Sequence, residues 1–467
     1  MRALALELDD RALSLARAGC VLTTAPSAMF DRDSGMLGPH AWSRVRSHPT
    51  LTSTRHLGLV LTGRGAATPA PAQVREEIVQ LLAAHPPQTE ESIWIAIPAQ
   101  AQVPGVESLL QIARGASVPL AGFLDAATAS VTALGLQRPA IVLEFGLHHA
   151  AATAVEVVSG RACRRRALVA ANGGLIGLYQ AWLGLISATM VKRTRFDPLH
   201  DASIEQQLFD VLPELAREAV ITGGSTAQVT NGVERFQVEL THDQFVAAAE
   251  PVARQLASLV HGLRPAGASL AIVVPRAIAD LPGLRSAIDQ FVGCELVKLP
   301  DGFAAAAASI LELPEGPPEQ DSVRLVRRLP VQATPELAAR TSREWIGEGR
   351  LREPPPSHVL FEGRAYSLEG PPLIVGRTAA GSELQPAAGA QITITLPEGL
   401  AGVSRRHCTL ARDSGQVLLL DHSRFGTFVN GERVAERVHL HAGDRVRLGD
   451  PGVELELIAM SDKTVTG

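Results

Sequence analysis

Cysteine is scarce in this chain. Cys20, Cys163, Cys294 and Cys408 are the only four in 467 residues, and they lie far apart with no C-x-x-C pair. Neither a disulfide framework nor a thiolate zinc site is therefore expected, and the four are read as reduced, partly buried thiols. A dominant charge sign is missing too: 43 basic against 48 acidic residues leave a net charge of −5. That balance provides no broad positive field, so no nucleic-acid partner is expected. No apolar run is read as long enough to span a bilayer, and the N-terminal stretch carries Glu7, Asp9 and Asp10 where a secretory leader would be uncharged. A cytoplasmic location without a membrane span follows as an expectation. No coiled-coil repeat points to an assembly, and the oligomeric state stays open. The remaining balance, 46% apolar and 19% charged, is that of an ordinary globular chain, and its length calls for two to four domains.

Alternation of short apolar runs with helical periodicity organises residues 1–312. Residues 2–8, Ile93–Ile97, Ile141–Phe145, Ala150–Val158 and Leu270–Val274 read as strands, with the third and fourth pairing across a turn at Gly146–His149. Helices are expected over Gly105–Ala113, Leu120–Leu134, 173–190, 203–219, 243–263, 282–291 and Asp301–Leu311. Such alternation indicates an α/β architecture with a mixed sheet. Residues 313–357 are punctuated by prolines from Pro314 to Pro356 and read as a linker with one helix around Pro335–Ile346. Residues 358–460 form a second domain of short strands, and 461–467 a tail.

Three groups stand in register within 358–460: Gly376-Arg377, then Ser404-Arg405-Arg406-His407, then Ser423-Arg424-Phe425-Gly426-Thr427 running on to Asn430-Gly431. A guanidinium fork, a hydroxyl donor and further cations delivered by loops suit a phosphate dianion, because charge-assisted and bidentate contacts are the strong ones. Their order and spacing resemble the forkhead-associated (FHA) family, which binds phosphothreonine peptides on an eleven-strand sandwich. The resemblance implies phosphate contacts from Arg377, Ser404, Arg405 and Arg424, with Gly426 and Thr427 completing the site. Gly376, His407 and Asn430 would be structural, His407 bracing its loop. Phe425 departs from the family pattern, standing where an asparagine usually grips the ligand backbone.

The first 312 residues resemble, in the order of their elements, the nucleotide-binding half of DnaK-type heat-shock chaperones, members of the duplicated, ribonuclease H-like actin-like ATPase superfamily. Ile95–Ala99 is similar to a strand ending in a Val-Pro-Ala turn, Leu124–Gly135 to the first connecting helix, Ile141–Val157 to the second phosphate-binding hairpin, and Asn172-Gly173-Gly174 to the glycine pair after it. Val238–Val260 resembles the small helical subdomain over the nucleotide cleft, and Asp301–Leu311 the closing helix.

The family's chemistry needs glycine-rich hairpins whose backbone N–H groups approach phosphate without a Cβ in the way. Here Leu8–Ser14 has no glycine and sets Arg11 in the turn, Glu144–His149 keeps only Gly146, Ala126 replaces an expected glutamate, and Pro275-Arg276-Ala277 replaces the adenosine-side turn. Asp9, Glu144 and Gly146 are what remains of a nucleotide site on this reading. Asp9 is either a metal-holding carboxylate or a solvated turn acid, and Glu144 either a metal-orienting group or a hydrogen-bonded hairpin carboxylate. His148 and His149 point to opposite faces of a strand and read as turn residues, not ligands. Gly223–Thr226 reads as a turn, and Arg164–Arg166 as a basic run facing solvent.

Loss of every nucleotide-contacting motif together, with the scaffold retained, indicates a degenerate ATPase body without catalysis. No cofactor or metal is expected, ATP with magnesium being what the scaffold would take if its hairpins still held phosphate. The expected whole is a signalling adaptor that recruits a Ser/Thr-phosphorylated protein. A phosphopeptide-regulated ATP-binding switch is the alternative, and client refolding is not expected because nothing after residue 312 resembles the chaperone's client-gripping domain.

Overall fold

A computed structural model describes residues 3–30, 36–89, 91–171, 173–264, 269–314, 324–346, 356–377, 392–397, 400–413, 416–440 and 443–458. The chain divides into two compact units, residues 1–263 with 270–346, and residues 264–269 with 347–467.

Two mixed sheets form the first unit, and they share one strand order. In the first, Leu4–Leu8, Ala12–Arg17 and Cys20–Pro26 form an antiparallel meander, and Ile93–Ile97 and then Leu120–Asp125 add in parallel on the other side of Leu4–Leu8. In the second, Ala140–Phe145, His149–Val158 and Arg161–Ala171 form the meander, and Ala271–Pro275 and Glu295–Leu299 add in parallel beside Ala140–Phe145. The inner parallel strands Ile93–Ile97 and Ala271–Pro275 are buried and read as continuous apolar runs, as burial under helices requires.

Between the sheets, Ala126–Ala133 and Phe303–Ala308 pack together, and the alanines of both helices that face inward are buried. Small side chains let two helices fit in one narrow layer. Helices His56–Leu61, Ala70–Ala84 and Val103–Gly115 cover the outer face of the first sheet. Leu175–Thr194, Ala202–Thr222 and His242–His261 cover the second. Each of the latter two begins where its sequence supplies a cap: Asp201 accepts from the N–H groups of Ser203 and Ile204, and Thr241 with Gln244 closes a reciprocal capping box.

Several expectations are corrected. Leu120–Asp125 is a strand, and the helix begins only at Ala126, where the Asp125 carboxylate accepts from the Thr128 N–H. A short buried apolar run fits strand or helix equally, and the cap decides. The segment read as a linker is part of the first unit over 324–346. Leu325–Val326 and Arg328–Pro330 extend the two sheets, and Ser342–Trp345 closes the far edge of the second against Glu295–Leu299. Its helix is only Pro335–Ala338. Gly223 caps a helix in the left-handed region at φ 84°, but Gly224–Asn231 continues as a strand paired with Glu234–Thr241. Leu175–Thr194 is in fact long and apolar enough by composition to cross a membrane; here Leu178, Trp182, Ile186 and Met190 are fully buried in the core of the unit. Cys20 is exposed, the other three cysteines are buried, and all four are free thiols.

The second unit is an all-β sandwich. Eleven strands among the described residues form a six-stranded and a five-stranded sheet, closing on a core that includes Val359, Val375, Cys408, Leu419, Val446 and Leu457.

Candidate functional site

Three loops of the sandwich meet beside the end of the strand Leu373–Arg377. Gly376 makes the approach possible: a Cβ there would fall on the Arg405 carbonyl oxygen, far inside van der Waals contact. The Arg377 N–H then donates to the Ser404 carbonyl at 3.1 Å, placing the two residues side by side at the end of the strand.

His407 ties the loops together from beneath. Its ring is completely buried, with Nδ1 accepting from the Ser404 N–H at 3.0 Å and Nε2 donating to the Gly426 carbonyl at 3.2 Å. These partners fix one tautomer of the neutral ring. Burial holds the imidazole below its ordinary pKa, although the Gly426 carbonyl and Asp421 pull the other way.

Ser404 faces the loop that follows. Its Oγ accepts from the Arg424 N–H at 3.1 Å, which leaves the hydroxyl proton to donate elsewhere. Arg405 and Arg424 are exposed, and among the described residues neither is paired with a carboxylate. Arg406 lies against Thr409, whose hydroxyl also bonds His422 at 3.0 Å. Phe425 presents a side chain 56% exposed at the tip of the same loop.

Two residues expected at the ligand are placed inside instead. Thr427 is fully buried, its hydroxyl donating to Asp421 at 2.7 Å. Gly426, at φ 89°, is buried and uses its carbonyl on His407 and on the Gly449 N–H. Asp421, which also accepts from the Ser423 N–H at 2.9 Å, is the inward acid that folds this turn and was not singled out in the sequence. Asn430 holds the left-handed region at φ 52°; its amide donates to Asp444 at 2.8 Å and accepts from the Arg445 N–H at 2.9 Å. It serves a turn, on the side-chain logic of Asn at such positions.

In the first unit the two expected phosphate hairpins do meet, but a side chain fills the junction. Asp10, at the tip of the first hairpin, is 1% exposed. It accepts from the Leu147 N–H at 2.7 Å, the His148 N–H at 3.2 Å and His149 Nδ1 at 3.2 Å. Gly146 is required by this docking, since a Cβ there would overlap the Asp10 carboxylate. Burial opposes the charge on Asp10, yet the hydrogen bond and charge of His149 together with the Leu147 N–H hold its pKa below the ordinary value.

Beside this junction lies a cavity of about 60 Å³, lined in part by Glu7, Asp9, Arg11, Glu144, His149 and Asp301. Pockets for organic ligands run to roughly 300 Å³ and more, so it is small by that measure. Burial pushes Asp9 up to about 7 and Glu144 up to about 8. Glu144 Oε2 accepts from the Ala99 N–H at 2.7 Å, joining the second hairpin to the first sheet. Arg11 bonds Asp301 at 2.7 Å. Asp9 is partly exposed, its carboxylate accepting from the Arg11 N–H at 3.0 Å, and it belongs to no metal-holding group among the described residues. Arg164, expected to face solvent, turns inward to Asp125 at 2.6 Å and the Ala99 carbonyl at 3.2 Å. Of the glycine pair after the second hairpin, Gly174 is packed where a Cβ would press on the Leu147 and Gly146 carbonyls; Asn172 lies outside the described residues.

Asp10 is the site residue that sequence reading missed. Its signal was an acid standing in a hairpin turn where glycine was expected.

Comparison with known families gives one match: the model of the FHA domain covers residues 373–449. No curated protein matches the chain. The loops carrying Ser404, His407 and Arg424 lie within the matched residues, and the sandwich is an FHA domain.

Proposed function

We propose that the FHA unit docks a protein phosphorylated on threonine, and that the N-terminal unit is a non-catalytic scaffold of actin-like, DnaK-type ancestry that transmits the event. The observation carrying the first half is Ser404. It sits beside the backbone of Arg377, is braced by buried His407, and keeps a hydroxyl proton available between the exposed cations of Arg405 and Arg424. A phosphate dianion there would gain charge-assisted contacts from groups whose geometry is already set.

For the second half, the shared strand order of the two sheets supports duplication of one β-meander with two parallel additions. The Asp10 carboxylate supports loss of nucleotide, because it occupies backbone donors of the second hairpin that a phosphate would need. Titration with Mg-ATP and with ADP is expected to give no heat of binding at submillimolar concentrations; saturable binding would remove the scaffold reading.

The adaptor reading is tested by capture from native lysate. Wild-type protein retains a partner that phosphatase treatment releases, whereas Arg377→Ala retains none. Capture that survives both treatments would refute the reading.

A further inference from the structure

A second cleft, of about 450 Å³, opens in the N-terminal unit and shares no lining residue with the small cavity beside Asp10. Its walls include Arg46, Ser53, Thr54, Arg55, His148 and Ile176, and no aspartate or glutamate lines it among the described residues. Its size falls in the range that holds small organic ligands.

Arg46 is the fixed part of the wall. Its guanidinium lies 4.7 Å over the Phe209 ring, and Nη1 stands 3.5 Å from Glu205. Its backbone N–H donates to Gln206 at 2.6 Å, so the side chain leaves an anchored turn. Nε and Nη2 are buried and have no hydrogen-bond partner among the described residues. Two adjacent guanidinium donors left unsatisfied in this way are costly unless something accepts from them. Arg55, an exposed residue of the same lining, adds a second cation, and Thr54 bonds His148 Nε2 at 3.0 Å.

We propose that this cleft binds a small organic dianion, a phosphomonoester or a dicarboxylate, with Arg46 and Arg55 as its counter-charges. A guanidinium presents its donors in a planar fork that a carboxylate or phosphate oxygen pair matches, and Arg46 still has the Nε and Nη2 edge of that fork to give. Glu205 pairs with Arg46 at Nη1 and leaves that edge alone. His148 reports on the site: burial and the charge of Arg55 hold it below its ordinary pKa, and a bound dianion would reverse the second effect.

The test is isothermal titration of the full chain carrying Arg377→Ala, which removes the proposed phosphate contact of the FHA unit and keeps the two readings separable. Ribose 5-phosphate, malate and neutral ribose are the probes. One of the two anions is expected to bind while ribose does not, and which anion binds identifies the ligand class. Adding Arg55→Gln, an exposed position that leaves the fold intact, should weaken binding about tenfold or more, as loss of a charge-assisted contact implies. Arg46→Gln should do the same, and binding should raise the His148 titration midpoint seen by NMR. Absence of binding by both anions at millimolar concentration, equal binding of ribose, or unchanged affinity in Arg55→Gln would each overturn the proposal.

Discussion

The carboxylate of Asp10 accepts from the backbone N–H of Leu147 at 2.7 Å, across two hairpins 137 residues apart in sequence. It is a side chain doing for the second hairpin what a bound anion does elsewhere: it satisfies inward-pointing amides in a buried place. Asp10→Ala removes that acceptor from Leu147, His148 and His149 at once. The expected loss is about 2–4 kcal/mol, the range for stranding buried partners of a charged group. It is read from the denaturant midpoint, and a change below about 0.5 kcal/mol, typical of a surface site, would contradict it.

Glu144 should make stability depend on pH in the opposite sense to a salt-bridged acid. Its folded pKa is pushed up to about 8, so between the ordinary carboxylate range and that value the folded protein keeps a proton the unfolded chain has released. Stability then falls as pH rises through this window, by up to about 1.4 kcal/mol per pH unit for one such group. Asp9, pushed up to about 7, acts in the same direction. Glu144→Gln should therefore gain on the wild type steadily from pH 5 to pH 8 in denaturation midpoints. A constant difference across that range would show that Glu144 is ionised in the fold.

Gly376→Ala should separate the arginine from the serine. With a Cβ pressing on the Arg405 carbonyl, the loop 404–407 must move away from Arg377, at about 1–3 kcal/mol for overpacking. Phosphopeptide affinity is expected to fall with it. A variant that keeps both its thermal midpoint and its affinity would show that the close approach is dispensable.

Asn430→Ala gives the contrasting case. It removes bonds to Asp444 and Arg445 and puts alanine at φ 52°, so a loss of about 1–2 kcal/mol is expected from the turn. Peptide affinity should stay within about twofold, since Asn430 shapes a different turn from the one that carries Ser404; a larger loss, beyond the usual additive limits, would move it into the site.

Much of this was legible in the residues themselves, and the failures have physical causes. Ile93–Ile97, Ala150–Val158 and the three long helices of the second half lie within a few residues of their expected positions, because apolar periodicity reports burial directly. The FHA resemblance implies a bracing role for His407, whose ring accepts from the Ser404 N–H and donates to the Gly426 carbonyl. The FHA resemblance puts Thr427 at the ligand, whereas its hydroxyl is donated to Asp421, six residues earlier, a contact no local pattern announces. The proline-rich stretch hid three strands, since prolines mark edges as readily as linkers and short edge strands carry little pattern of their own. Asp10 escaped because its partners lie in another hairpin: the turn shows an acid where glycine was expected, but not the amides 137 residues away that it meets.

Titration of the full chain with a threonine-phosphorylated peptide recovered from its partner, beside the same peptide unphosphorylated, bears most directly on the FHA unit. The phosphorylated form should bind and its twin should not, and Ser404→Ala should weaken binding about tenfold or more while the thermal midpoint hardly moves, as expected for loss of a charge-assisted donor at a half-exposed site. Equal affinity for the two peptides, or full affinity in Ser404→Ala, would contradict phosphate reading by this pocket.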